Sequence, residues 1–269
     1  FECGELNGKV KLLDGVSGIY GEGTYAWGNR SDEWTWYYHN GAIQSRGMYI
    51  DDDKHGRWVS YYENGQVRNV THYIFGERHG VDSMYHENGK LYRTENFILG
   101  ESHGEIIYRN FQGNIYLVRN VYEGETRSCY MLNDGKKTQE VALKDGSAEV
   151  VLKYPNGNKS FSIQFKDGLY HGELVAYHEN GKIWKKIEFA NGDYHGASME
   201  YFDNGQLYEE LHYQYDNLEG QGRTFDENGQ KVNEITYSNN DKHGEAKYYK
   251  EGKLVKHVRY FYDVILEVY

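Results

Sequence analysis

Two short runs of alternating apolar and polar residues, parted by Asn-Gly, recur along this chain at intervals close to 24 residues. The segments HGRWVSYYENGQVRNVTHYIFGER (55–78), HGELVAYHENGKIWKKIEFANGDY (171–194) and HGASMEYFDNGQLYEELHYQYDNL (195–218) align without a gap. Units start at 31, 55, 79, 103, 125, 147, 171, 195, 219 and 243, with two 22-residue steps around 125. Period-two alternation over runs this short predicts strands, and no segment keeps a helical apolar period over several turns. Asn-Gly begins at Asn40, Asn64, Asn88, Asn156, Asn180, Asn204 and Asn228. The pair predicts a hairpin tip, with a type I′ turn expected because both central residues of that turn need φ > 0. A second glycine (Gly76, Gly100, Gly124, Gly146, Gly168, Gly192) ends the returning strand, and His-Gly then opens the next hairpin.

Three stripes run through the units. The residue before the tip is aromatic (Tyr37, Tyr61, Tyr85, Tyr177, Tyr201), the residue after it aliphatic (Ile43, Val67, Leu91, Ile183, Leu207), and a late position large (Tyr49, Tyr73, Phe97, Phe165, Phe189). Counted by period two, these positions share one buried face. Trp34, Trp36, Tyr38, Trp58 and Tyr62 then fall on the outward phase, as do Tyr92 and Tyr116 at another outward position. Exposed aromatic residues are typical interface anchors, so these seven are the candidate partner-binding residues. The alternative is that they cover neighbouring strands through cross-strand pairs.

The pattern predicts an all-β chain: an elongated, single antiparallel β-meander of tandem β-hairpin repeats. Residues 1–30 read as a degenerate leading repeat or cap, 31–260 as about ten hairpins, and 261–269 as a capping strand. That terminal segment, FYDVILEVY, is apolar enough to pair in a homodimer through a sheet edge. The repeats are irregular over 125–170, where Lys137, Lys153 and Lys159 interrupt the stripes, and a change of curvature is expected near 125–160.

The repeated unit resembles the MORN repeat, and more closely the variant found in bacterial YwqK-like antitoxins, roughly G-x-x-x-x-Y-Y-x-N-G-x-L followed by an aromatic and a glycine. The resemblance covers about 31–260. It implies a repeat scaffold that binds a protein partner, and more narrowly an antitoxin or immunity protein whose partner is a toxin. An exported cell-envelope repeat protein and a lipid-associated MORN scaffold are the alternatives. The first needs a removed leader upstream of Phe1; the antitoxin reading places the chain in the cytoplasm.

Charge narrows the partners. A formal net charge of −11 opposes nucleic acid and anionic membranes, where positive charge supplies most of the affinity, and suits a basic protein partner. Candidate chemistry adds little. Six units carry His-Gly, at His55, His79, His103, His171, His195 and His243. Equivalent residues two strands on stand about 10 Å apart, too far to share one metal ion, so these are expected to be turn histidines that stack on neighbours and bond backbone. Asp51–Asp53 reads as a solvated turn rather than a cation site, and the close glycines of GIYGEGTY open no helix. Cys129 lies on an inward phase as an inert thiol, and Cys3 and Cys129 make no disulfide framework. No catalytic motif is present in the sequence, and no enzyme activity or cofactor is expected.

Overall fold

The computed structural model describes residues 5–14, 18–133 and 135–269; Cys3 lies outside them. The described residues form twenty-six strands and no helix, in two antiparallel sheets whose strands follow chain order. The chain divides into two compact units, Phe1–Thr126 and Arg127–Tyr269. The fold is the all-β meander of hairpins that the period predicts, but the ladder is not single. It stops after strand Lys136–Ala142 and restarts at strand Ala148–Lys153.

The turns exchange the roles expected of them. At the Asn-Gly tip, Gly65 N donates to Tyr62 O at 2.9 Å and Tyr62 N to Gln66 O at 2.8 Å. Gly65 is left-handed, whereas Asn64 is not among the residues of positive φ. The tip is therefore a type I turn closed by a glycine bulge, not the expected type I′ turn. Asparagine is used here for its side chain. Its Oδ1 accepts the amide two residues on, and its Nδ2 reaches a carbonyl of the next repeat, as Asn156 does to Glu179 O at 2.8 Å and Asn204 to Glu227 O at 2.9 Å. Two consecutive left-handed residues instead mark the opposite ends of the hairpins, at Phe75-Gly76, Asn191-Gly192 and Asn239-Asn240. Bonds such as Gly76 N to Lys54 O (2.9 Å) and Gly192 N to Tyr170 O (2.9 Å) tie those ends together.

Two bulges per repeat decide which residues face together. Within a hairpin, Ser60 pairs with Asn69 but Tyr61 with Val67, leaving Arg68 as an extra residue on the return strand. Trp36 with Ser45 and Tyr37 with Ile43 repeat the pattern, as do Ala176 with Lys185 and Tyr177 with Ile183. Between hairpins, Arg46 opposes Val59 but Met48 opposes His55, so two extra residues accumulate at His-Gly, where Gly56 is left-handed.

The single extra residue inverts the phase of the return strand. Tyr49 and Tyr73 lie on the face of Trp34 and Trp58, not on that of Tyr37 and Tyr61, because a one-residue slip moves every later side chain across the sheet. Trp34, Tyr49 and Trp58 form one core cluster, with Trp36 and Tyr73 packed on it. Ile43, expected inside, is exposed.

In the irregular region the register itself slips. Ser128 pairs with Ala142 and Cys129 with Val141, one residue away from the pairing in other hairpins. Cys129 and Met131 are buried, as their strand phase requires. Where the ladder stops, the Gln139 side-chain amide takes over: it donates to Lys153 O at 3.0 Å and accepts from Lys153 N at 2.8 Å. Lys153 and Lys159 are exposed, and Lys137 lies over the Tyr130 ring.

Candidate functional site

The seven predicted aromatic residues are not exposed anchors. Trp34 is fully buried and Trp58 5% exposed, and their indole N–H groups donate to Thr24 O and Met48 O, both at 3.0 Å. Each indole lies against a glycine of the preceding strand. A Cβ on Gly23 would meet Trp34 at 2.2 Å, and one on Gly47 would meet Trp58 at 2.3 Å. Trp36 is half-buried and stacks on Trp34 at 5.3 Å. Tyr38 and Tyr62 spend their hydroxyls on the next repeat, donating to Tyr61 O and Tyr85 O at 2.7 Å. Tyr154 does the same to Tyr177 O at 2.6 Å, and the His86 and His178 rings take the equivalent place with Arg109 O and Tyr201 O. Tyr92 packs on His86, and Tyr116 is buried at 6% exposure, both standing at the bulged position. The outward assignment fails because parity was counted through the bulge.

The histidines and the aspartate run resolve as turn structure. His55, His103, His195 and His243 set their rings against Phe75, Tyr122, Tyr215 and Tyr262, at centroid distances of 4.6–5.4 Å. The expected backbone bond is not made by their buried Nδ1 atoms in His55, His195 and His243. Asp52 accepts both the Arg30 amide (2.9 Å) and the Arg30 guanidinium (2.7 Å), and Arg30 holds its carboxyl below the usual range. No group of three or more His, Cys, Asp or Glu among the described residues is placed to hold a metal ion.

What the first unit brings together is a groove of about 340 Å³, carried by strands Ile43–Ile50, Asp53–Tyr61 and Val67–Ile74. Ser45, Ser60, Asn69 and Thr71 supply its polar lining, where Ser60 Oγ donates to Asn69 Oδ1 and Asn69 Nδ2 to Thr71 Oγ1 (3.2 Å). Trp58, Tyr73, Tyr38 and Lys54 line it too. The Lys54 ammonium lies 4.5 Å from the Trp58 ring centroid and 5.3 Å from that of Tyr73. Burial pushes its pKa down, and the neighbouring Arg30 and Arg78 push the same way. A second hollow of about 330 Å³, lined by Tyr20, Tyr37, Tyr38, His39 and Gln44, shares Tyr38 and Gln44 with the first. There the Tyr37 hydroxyl donates to Glu22 at 2.5 Å, and its pKa is raised to about 12, chiefly by that bond.

Of the predicted site residues, only Tyr38 and Trp58 line the groove. Lys54 and the polar lining were missed. A signal existed: Arg30, Lys54 and Arg78 stand 24 residues apart, and Ser60 and Thr71 occupy positions held by Ala176 and Ile187 in a later repeat.

Comparison with known proteins agrees with the repeat. Six segments, 33–51, 54–74, 78–98, 170–191, 194–215 and 218–239, match the MORN repeat variant model. Curated proteins give no match. Among solved structures, the chain is similar to the TcdB2-TccC3-TEV structure at 10% identity, over 93% of this chain and 15% of that one, with a TM-score of 0.19. It is likewise similar to the Photorhabdus luminescens Tc holotoxin pore carrying the TccC3-D651A mutation, at 11% identity over 93% and 15%, with a TM-score of 0.19. The chain thus spans less than a fifth of the length of either.

Proposed function

We propose that the chain is a non-enzymatic repeat scaffold that binds a protein partner through the groove of its first unit. The observation that supports this is the contrast on one sheet face. Positions filled by Leu174, Ala176 and Ile187 in the repeat starting at 171 carry Trp58, Ser60 and Thr71 in the repeat starting at 55, beside an open groove. Concave, partly aromatic sites with a few convergent polar groups are the default location for binding. The likeness to YwqK-like antitoxins supports the narrower reading that the partner is a toxin, and the net charge of −11 would draw a basic one over long range.

The test fills the groove without disturbing the sheet. The position of Ser60 is held by Tyr248 in the last repeat, so Ser60→Tyr is compatible with the strand. Wild type and Ser60→Tyr are compared for affinity capture from the native cell, with circular dichroism as the folding control. Loss of captured protein from a folded Ser60→Tyr supports the site. Equal capture rejects it.

A second reading rests on strand Val264–Val268, which pairs with Lys253–Phe261 and is exposed at every residue. An apolar strand exposed in this way is a template for pairing, which here would join two copies edge to edge. Ile265→Lys should then shift sedimentation toward the monomer; a wild type already monomeric at high concentration removes this reading.

A further inference from the structure

Lys54 differs from the cations around it. Arg30 is held by Asp52 at 2.7 Å, and Arg78 stands 4.0 Å from Asp82. Lys54 makes no ion pair among the described residues, although the chain has 41 Asp and Glu against 30 Lys and Arg. Its ammonium is half-buried on two aromatic rings, which hold it by attraction to their faces and leave its N–H groups without a carboxylate.

In two repeats of the second unit the corresponding slot is closed without a charge, while in the last repeat Lys242 fills it over Tyr260 at 5.6 Å. Tyr170 and Tyr194 occupy it in those two, and their rings interleave with Phe165, Phe189 and Tyr213 at 4.8–5.2 Å. A ring closes that slot with no desolvated charge. An amine in the same place loses hydration on folding, and an anion entering the groove would restore what burial removed. The walls add selectivity. The lining of Ser45, Ser60, Asn69 and Thr71 offers hydroxyl and amide groups beside the ammonium, and about 340 Å³ accommodates a side chain rather than a folded element.

We infer that this groove receives a carboxylate-bearing side chain, Asp or Glu, of the protein partner, with the Lys54 ammonium as its ion-pair donor. The inference rests on the scaffold reading above and names the chemistry of its contact. The Trp58 and Tyr73 rings fix the ammonium so that little side-chain freedom is lost on pairing.

The test uses the whole chain and capped tripeptides as probes. Acetyl-Gly-Glu-Gly-amide is titrated against acetyl-Gly-Gln-Gly-amide, following the Trp58 indole N–H and the Tyr73 ring by nuclear magnetic resonance, with acetate as a free carboxylate control. Saturable shifts of both signals are expected with the Glu peptide, and shifts about tenfold weaker with the Gln peptide, the size a charge-assisted bond supplies. Lys54→Tyr, which copies the second unit and should fold, loses the response, and Lys54→Arg keeps it. Equal binding of the Glu and Gln peptides, or a full response from Lys54→Tyr, overturns the inference. Acetate saturating the site as tightly as the Glu peptide also overturns it, since the site would then read a free anion and not a side chain. Capture from cells separates this result from the scaffold reading. A Lys54→Tyr variant that captures protein as well as wild type refutes only the groove chemistry. Peptide binding with no captured protein refutes only the scaffold.

Discussion

The two units fill the same slots with different chemistry. In the first, cations lie on rings: Arg30 over Tyr49 at 4.2 Å, Lys54 over Tyr73 at 5.3 Å, Arg78 over Phe97 at 5.0 Å. In the second, Tyr170 and Tyr194 lie between rings from Phe165 to Tyr213, and only the last repeat keeps a cation there, Lys242 over Tyr260 at 5.6 Å. The neighbouring pair of positions is also inverted. The first unit sets Trp34 and Trp58 against Gly23 and Gly47. The second sets the small residue on the opposite strand: Ser198 faces Ile187, Ala246 faces Ile235, and Gly222 lies under Leu211. In these pairs a large side chain meets a small one, and either strand supplies the large one. The repeat therefore specifies a backbone and leaves each unit to choose which side chains fill the pair. That freedom is what allows one repeat to keep a polar, charged groove where the repeat starting at 171 carries Leu174, Ala176 and Ile187.

The largest expected effect comes from forcing one solution into the other. Gly47→Ile places a branched chain where Trp58 already lies and should cost about 3 kcal/mol, the upper range for overpacking. Trp58→Ala alone should cost about 3–5 kcal/mol through lost burial and the cavity left. The double variant copies Ile235 and Ala246, so the two should couple favourably by about 2 kcal/mol in urea unfolding. Additive losses would mean that the inversion is accidental. Next, Tyr194→Lys removes a ring from the interleaved ladder of the second unit and should destabilise by about 1.5 kcal/mol. Lys54→Tyr, the reverse exchange, should leave the melting temperature unchanged or raise it.

Smaller effects test what the units share. Tyr62→Phe and Tyr154→Phe each remove a hydroxyl bonded to the next repeat and should cost about 1 kcal/mol apiece in either unit. A loss in one unit alone would show that the ladder is not common to both.

The smallest effect is one of pH, and its sign differs between units. In the first, burial raises the Asp82 carboxyl, with Glu95 directly opposite adding to it. A carboxyl raised in the folded state contributes stability at low pH that disappears as pH rises through its folded value. Asp82→Asn should therefore gain on wild type as pH rises from acid to neutral. In the second unit, Lys231 and then Arg223 lower Glu234, whose contribution is present at neutral pH and fades as pH falls through its depressed value. Glu234→Gln should cost ~0.5 kcal/mol at neutral pH and nothing in acid, by pH-dependent urea titration. Parallel slopes for the two variants would contradict the contrast.

Much of the architecture was legible in the residues. Asn-Gly at a fixed spacing announced hairpins, the second glycine announced the opposite turn, and the irregular residues around Lys137 and Lys153 marked where the continuous ladder ends. The candidate site was barely legible. Lys54 is one unremarkable lysine until the register sets it on Trp58 and Tyr73, and its lack of a carboxylate is a property of neighbours distant in sequence.

The sequence by itself determined the hairpins, their order and where they turn, because these depend on contacts between residues a few positions apart. Only the tertiary structure decided the faces. One extra residue after each tip, Arg68 in the second full repeat, reverses the alternation of everything that follows, and nothing in the local pattern announces it. Trp58 and Tyr73 are fifteen residues apart in the chain and would lie on opposite faces by count; the bulge places them on one. Alternation is a local rule, while a bulge is chosen by the pairing of two strands, so which side of the sheet a residue occupies is settled only when the strands meet.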